Sequence, residues 1–554
     1  MGLVCPKEVW MSGRTGQKVP LCWATSKQPS GFTGASPEDR PPLGGRPVGG
    51  TLWRVCRLLG VVVLGAGLGC QAKSSPKPSP PGPSPLDQRE CWYRVSILGA
   101  KVGYQHTRIQ PVEHEGQPAI RSETYSQLRV HRSGTPLLME LRVFDLAWPD
   151  GTLLELGTQM TQAGSTIRTV GRVQGDRLLL TTTTQGKPQE TVLPWKPEYG
   201  GFHAVEVSLA RQPMQPGQTR TLQALIPVVQ QVATIQLRAT EEETVQLPGG
   251  EFRLLRIEAT THLPGGQTFR DIYWVDATGM PLKVHSQAMN AELVATSQQL
   301  AQDPAGWEKL DLALDQAIPV RPRLVRPHQT IRVRYRVRLE RGNPAQVFPQ
   351  TPYQEVRQVD EHTAEVVVWA SRPTLPPPKN TKSYDPPTAY DKQPNSFIQS
   401  DHPRIVALAQ EAVGQEKRPR EQALQLERFV HGYLRSKNFS TAFASALEVL
   451  ETREGDCTEH AVLLAALARA LGIPARVAIG LVYHEGKFYY HMWNELYLLD
   501  RWIAFDATLA EGGIGGVHLL LAHSHLHGAS AFSAFLPVLN VLGQGLRIEL
   551  IDQQ

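Results

Sequence analysis

Apolar residues along this chain of 554 residues keep two different periods, and the change from one to the other limits the fold more than any other feature. From residue 91 to about residue 300 they alternate in short runs, the two-residue period of half-buried strands. The runs 93–98, 124–130, 165–173, 177–184 and 251–261 are strand-like, and glycine turns part them: Gln174-Gly175-Asp176, Gln185-Gly186-Lys187, Leu247-Pro248-Gly249-Gly250 and Leu263-Pro264-Gly265-Gly266. About ten antiparallel strands are expected, in a curved sheet, half-barrel or sandwich. Past residue 400 the period becomes helical. Helices are expected over 403–413, behind the capping candidate Asp401, and over 420–435, with Leu426, Phe429, Val430 and Tyr433 on one stripe. The capping box Ser445-Ala446-Leu447-Glu448 opens a third. Between the two regimes, 307–317 reads as helical, 330–341 and 361–369 as strands of a small β unit, and 373–394 as a proline-rich linker.

The domain plan that follows is multi-domain. It has a leader over 1–70, a Pro/Ser-rich tether over 71–90, a β-rich antiparallel region over 91–305, a small β segment over 306–372, a linker over 373–400 and an α+β domain over 401–554. The formal charge of +5 belongs to the leader, where residues 1–70 hold eight Lys and Arg against three Asp and Glu. The rest of the chain is balanced, so no basic field argues for nucleic acid. Within the leader, Arg54 and Arg57 precede the apolar run 58–69, which is too short for a span of ~20 residues but fits a secretory signal. The run ends in Gly67-Leu68-Gly69-Cys70, which resembles a bacterial lipoprotein signal and implies lipidation of Cys70, although Gly67 stands where leucine is usual. Export to the cell envelope with a lipid anchor is the expectation, with initiation nearer Val48. Cys91 and Cys457 remain after the leader is set aside, too few for a disulfide framework.

Gly455-Asp456-Cys457-Thr458-Glu459-His460 runs into an Ala- and Leu-rich helix over 461–471 that Gly472 and Pro474 stop. Asp456 and Glu459 have capping-box spacing, which puts Cys457 at the first helical position. There the helix dipole and unpaired N–H groups favour a thiolate and can hold an oxyanion. Strands are expected over 477–483, over 488–498 with His491-Met492-Trp493-Asn494-Glu495, and over 502–508 with Asp506. A helix-borne thiol, a strand-borne imidazole and a carboxylate on the next strand are the parts of a Cys-His-Asp triad. A hairpin centred on Leu499-Asp500 makes Asp506 the diagonal neighbour of His491, ~7 Å away. Centring on Asp500-Arg501 separates them by ~13 Å, and the first register is expected.

Residues from about 400 to 508 resemble the bacterial transglutaminase-like superfamily, a papain-like thiol fold. The matching stretches are Arg453-Glu454-Gly455-Asp456-Cys457-Thr458-Glu459-His460-Ala461, Gly472-Ile473-Pro474-Ala475-Arg476, His491-Met492-Trp493-Asn494-Glu495 and 502–508. The resemblance implies Cys457 as nucleophile, His491 as base and Asp506 as orienting acid. It also implies a thioester route from a peptide or isopeptide amide to water, as a peptidase, or to an amine, as a transferase. A non-catalytic peptide-binding scaffold is the alternative, as is a lipid or lipoprotein carrier role in the β-rich region, where 250–286 resembles the half-barrels of periplasmic lipid-carrier-like proteins. His460 and Asn494 are read as structural, Trp493 as packing beside the triad or in the core, and Asn438 as a guess for a second oxyanion donor. His518, His523, His525 and His527 are dense, but without a nearby carboxylate or cysteine they read as a polar strand face. No metal or cofactor site is expected, since no phosphate loop, dinucleotide fingerprint or EF-hand loop is present.

Overall fold

The computed structural model describes residues 10–12, 18–20 and 88–554, apart from 133, 163–164, 184–187, 227–229, 265–267, 288–289, 312–316, 379–384, 435–443, 528–540 and 542–544. The apolar run 58–69, Cys70 and the tether as far as residue 87 lie outside the described residues, as does Asn438. Among the described residues no helix is long and apolar enough to cross a membrane.

The alternating region forms one antiparallel sheet of fourteen strands among the described residues. It is two meanders joined at the centre: the first strand, Arg89–Ile97, pairs with the last, Ala291–Thr296, with Ala291 opposite Ile97. Pro248-Gly249 and Gly175-Asp176 each turn a tight hairpin, as their residue types dictate. One helix, Ala204–Arg211, links the meanders and lays Val205 and Leu209 on Ile235, Leu237 and Ile257 of the second. The expected helix over 307–317 does not form in its described part. Leu310 is instead drawn into the apolar cluster of Val95, Val130 and Leu137, its carbonyl accepting from the His131 N–H, and Asp311 accepts from the Gly134 N–H. Pairing with the sheet outweighs a weak local helix preference.

Among the described residues a second sheet, of nine strands, carries the chain from Ile318 onward. We label its strands β1 (Ile318–Arg321), β2 (Arg332–Arg338), β3 (Gln354–Gln358), β4 (Thr363–Trp369), β5 (Ala475–His484), β6 (Lys487–Leu498), β7 (Arg501–Phe505), β8 (His518–Ser524) and β9 (Arg547–Gln553). Their order is β3-β4-β2-β9-β1-β6-β5-β8, with β7 also on β6. The segment 306–372 therefore does not form a small unit of its own. Its strands β1 to β4 belong to the sheet of the C-terminal domain, and β9 from the far end of the chain lies between β2 and β1. The proline-rich stretch 373–400 is no free linker either. Its Leu375 and Asp385 carbonyls accept from Arg501 and Trp502, and Phe397 and Ile398 are buried.

Four helices cover one face: α1 (Pro403–Val413), α2 (Pro419–Tyr433), α3 (Ala446–Thr452) and α4 (Cys457–Ala470). The cap of α1 is His402, whose ring accepts from the Arg404 N–H, rather than Asp401, because Pro403 occupies the first helical position. Helix α4 is buried all round, from Ala461 to Ala468, which its near-continuous Ala and Leu run allows. It is packed between β6 and β5 on one side and α1, α2 and α3 on the other. Because β1 to β4 complete that core, a fragment of residues 401–554 is expected not to fold, whereas one of residues 317–554 folds. Solubility and far-UV circular dichroism of the two fragments check this.

Candidate active site

Cys457 opens α4 behind a complete capping box. Asp456 Oδ1 accepts from the Thr458 N–H at 2.8 Å, and Glu459 Oε2 accepts from the Asp456 N–H at 2.9 Å. The other Glu459 oxygen accepts from the Ala444 N–H, tying the start of α3 to the same turn. Gly455 makes room for this. Its φ is +152°, and a Cβ there would lie 2.3 Å from the Glu459 side chain. Among the described residues the box takes the N–H groups of Thr458 and Glu459 and not that of Cys457, which stands beside its own sulfur.

The hairpin of β6 and β7 centres on Leu499-Asp500, with Leu498 opposite Arg501 and Asn494 opposite Phe505. That register brings Asp506 to His491: Asp506 Oδ2 accepts from His491 Nε2 at 2.7 Å, both side chains nearly inaccessible. The ring's Nδ1 is buried and makes no hydrogen bond among the described residues, and the Cys457 sulfur is near enough to act on the charge of the ring. Burial disfavours the His491 cation, yet the Asp506 carboxylate and the Cys457 sulfur outweigh it and raise the imidazole to about 10. Burial likewise opposes the charge of Asp506, but His491 and His518 hold its carboxyl well below the usual carboxylate range. Thus the structure brings Cys457, His491 and Asp506 into one buried group. His460 turns back on its own helix, its Nδ1 donating to the Asp456 carbonyl at 2.6 Å, and burial pushes it down to about 4. Asn494 faces α4 and donates to the Ala461 carbonyl. Cys91 and Cys457 are both free thiols.

Several members of the site were not legible beforehand. His518 of β8 also reaches Asp506 Oδ2, with Nε2 at 3.0 Å. Gly480 of β5 lies opposite His491, and His518 lies opposite Val482 two residues on: a Cβ at Gly480 would lie 2.8 Å from the Trp493 ring and 2.0 Å from the Leu519 carbonyl oxygen. Trp493 fills the space so left, stacked on His491 at 6.3 Å and edge-on to His518 at 5.1 Å. It packs both beside His491 and in a small core with Ala478, Ala504 and Leu520. His523, His525 and His527 do not join them; His525 bonds Asp391 and His527 bonds Gln189. The two N···O distances at Asp506 are hydrogen-bond lengths. The shared carboxylate gives His518 a partner from outside its own segment, and the three side chains bring their nearest N and O atoms within 4.8 Å of one another.

The loop carrying Asp506 is held from α2. Glu427, fully buried, accepts from the N–H groups of Asp506 (3.2 Å), Gly512 (2.9 Å) and Gly513 (3.3 Å). One turn on, His431 Nδ1 donates to the Ala507 carbonyl at 3.0 Å. The available sequence signal was a glutamate set among Ala423, Leu426 and Val430 on the buried side of a helix. Burial pushes the Glu427 carboxyl up to about 8, against the pull of those N–H groups. Further along the same face of β6, Glu495 pairs with Arg476 at 2.6 Å, and the Arg476 guanidinium lies 4.1 Å over the Trp502 ring. A cleft of about 760 Å³ opens there, walled also by Tyr353, Trp369 and His523.

Residues 406–507 match the model of the transglutaminase-like superfamily. The chain carries a transglutaminase-like domain. Among solved structures, it is similar to a candidate cysteine protease from Cytophaga hutchinsonii at 17% identity, over 41% of this chain and 85% of that one, with a TM-score of 0.26. It is also similar to a beta-barrel-like protein of domain of unknown function DUF1849 from Brucella abortus, at 7% identity, over 37% and 94%, with a TM-score of 0.29. Scores this low carry no argument about shape or activity. Comparison with curated proteins finds no match.

Two outcomes test this site. Gly480→Ala is expected to destabilise the transglutaminase-like domain by about 1–3 kcal/mol or more, measured by denaturant unfolding, because the added methyl meets backbone as well as Trp493. For Glu427, a folded pKa above the ordinary glutamate value of 4.5 means its contribution is present below about pH 4.5 and is lost as pH rises through about 8. Stability should therefore fall across that window by at most about 1.4 kcal/mol per pH unit, and Glu427→Gln should remove that component of the slope.

Proposed function

We propose that this protein is a papain-like thiol enzyme that moves the acyl group of a peptide or isopeptide amide through a thioester on Cys457. The observation that carries the reading is His491 between the Cys457 sulfur and the buried Asp506, with Nε2 on the carboxylate and Nδ1 taken by no other group among the described residues. Asp506 holds the Nε2–H tautomer and stabilises the imidazolium, so Nδ1 is left to trade a proton with sulfur. The thiolate attacks the amide carbonyl, and the oxyanion forms beside the Cys457 N–H at the helix start. His491 Nδ1–H then protonates the leaving amine as the C–N bond breaks. Nδ1 next takes a proton from water or from an acceptor amine, whose attack on the thioester releases the acid or the new amide and restores the thiolate. The cleft at Glu495, Arg476 and Trp502 begins ~13 Å along β6 from His491 and suits an extended substrate chain with aromatic or charged side chains.

The enzyme acts at the cell envelope in this reading. Arg54, Arg57, the apolar run 58–69 and Cys70 support export and lipid anchoring, and the proline-rich tether would hold the folded body away from the membrane. The partner is a peptide or protein substrate there, with no nucleic acid.

Alkylation of Cys457 by iodoacetamide is the test, in protein with Cys91 replaced by serine. At about pH 6.5, where an ordinary thiol of pKa ~8.5 is almost wholly protonated, the rate is expected to stay high and to fall about 100-fold in His491→Ala. A slow rate that His491→Ala leaves unchanged would favour the binding scaffold instead.

A further inference from the structure

Asp506 is asked to satisfy more donors than the orientation of one imidazole needs. Its Oδ1 accepts from the Thr508 N–H at 2.9 Å and from the Thr508 hydroxyl at 2.6 Å. Its Oδ2 is divided between two imidazoles, His491 at 2.7 Å and His518 at 3.0 Å. The His518 side chain is wholly inaccessible, and His328 stands behind it with ring centroids 6.5 Å apart. The two rings on Oδ2 have centroids 5.9 Å apart, so in this buried site a cation on one disfavours a cation on the other. The shorter bond and the adjacent thiol put the cation on His491. Burial keeps His518 below the ordinary imidazole range, as a neutral ring whose Nε2–H donates.

We propose that His518 is a positioning residue for the thiol reaction: its Nε2–H fixes the Asp506 carboxylate on the side of Oδ2, so that His491 stays in the Nε2–H tautomer with Nδ1 at the sulfur. A carboxylate held at Oδ1 by Thr508 and at Oδ2 by His518 has no freedom to rotate away from His491. The same donor draws electron density from Oδ2, which weakens its hold on the imidazolium proton and eases proton delivery to a leaving amine. No step consumes His518, and it touches no reacting atom. This role rests on the reading of Cys457 as nucleophile, but the hydrogen bond from His518 to Asp506 does not.

The test uses the full chain with Cys91→Ser as background and three replacements of His518. Glutamine places an amide N–H near the position of Nε2, asparagine places the same group one atom short, and leucine removes it. Cys457 alkylation at about pH 6.5 is expected to fall about 10- to 100-fold in His518→Leu and His518→Asn and to return to within about threefold of the parent in His518→Gln. The low-field proton resonance of the His491–Asp506 bond should move in the first two and hold its position in the third. Equal rates in all three would overturn the proposal. So would equal losses in all three with that resonance unmoved, which is the mark of packing alone. If His518→Leu fails to fold, the asparagine and glutamine pair decides, because the two differ only in reach. Parent protein with slow alkylation but with low-field resonances for both His491 and His518 would count against the thiol reading while leaving the shared carboxylate intact.

Discussion

A carboxylate with no access to water governs the C-terminal half of this protein. An unpaired charge in such a place costs several kcal/mol, so Asp506 exists as an anion only because groups from separate elements converge on it. His491 comes from β6 and His518 from β8, while Thr508 lies two residues on. The backbone N–H of Asp506 is in turn held by Glu427 from α2, and the next carbonyl by His431. The site is thus anchored in two strands and a helix, and a change in any of them reaches His491 through one carboxyl group.

The Cys457 end of the site is built differently, from local signals. Gly455, Asp456 and Glu459 are consecutive or nearly so, and together they start a helix at the residue that carries the sulfur. Such a turn depends on short-range hydrogen bonds and on a backbone angle that glycine tolerates. That is why the position of Cys457 and the box around it could be read directly from the chain. The strand hairpin belongs to the same class: Leu499 and Asp500 both take positive φ, a turn type that fixes the register and with it the meeting of His491 and Asp506.

Long-range pairing accounts for the departures from expectation. Nothing local distinguishes β1 to β4 from a small independent unit, because their alternation says only that one face is buried and not against what. The strand that inserts between β2 and β1 is supplied from residues 547–553, more than two hundred positions away. In the same way the 307–317 stretch has helical composition, yet its described residues take hydrogen bonds at the sheet. The histidines at 518, 523, 525 and 527 show the limit most clearly: spaced along one short segment, they go to Asp506, to a cleft wall, to Asp391 and to Gln189.

The sequence by itself determined the antiparallel character of the first region, the helix that presents Cys457, the hairpin that carries His491, and the transglutaminase-like character of residues 406–507. All of these follow from periodicity, turn chemistry and caps, which act over a few residues. Only the tertiary structure decided that the domain begins with β1, that Gly480 opens a space for Trp493, and that Glu427 and His518 stand around Asp506. Those outcomes depend on which strands become neighbours. Neighbouring is set by the burial of whole faces against one another and by the need to satisfy a charge already inside, and neither is written in the residues near the groups concerned.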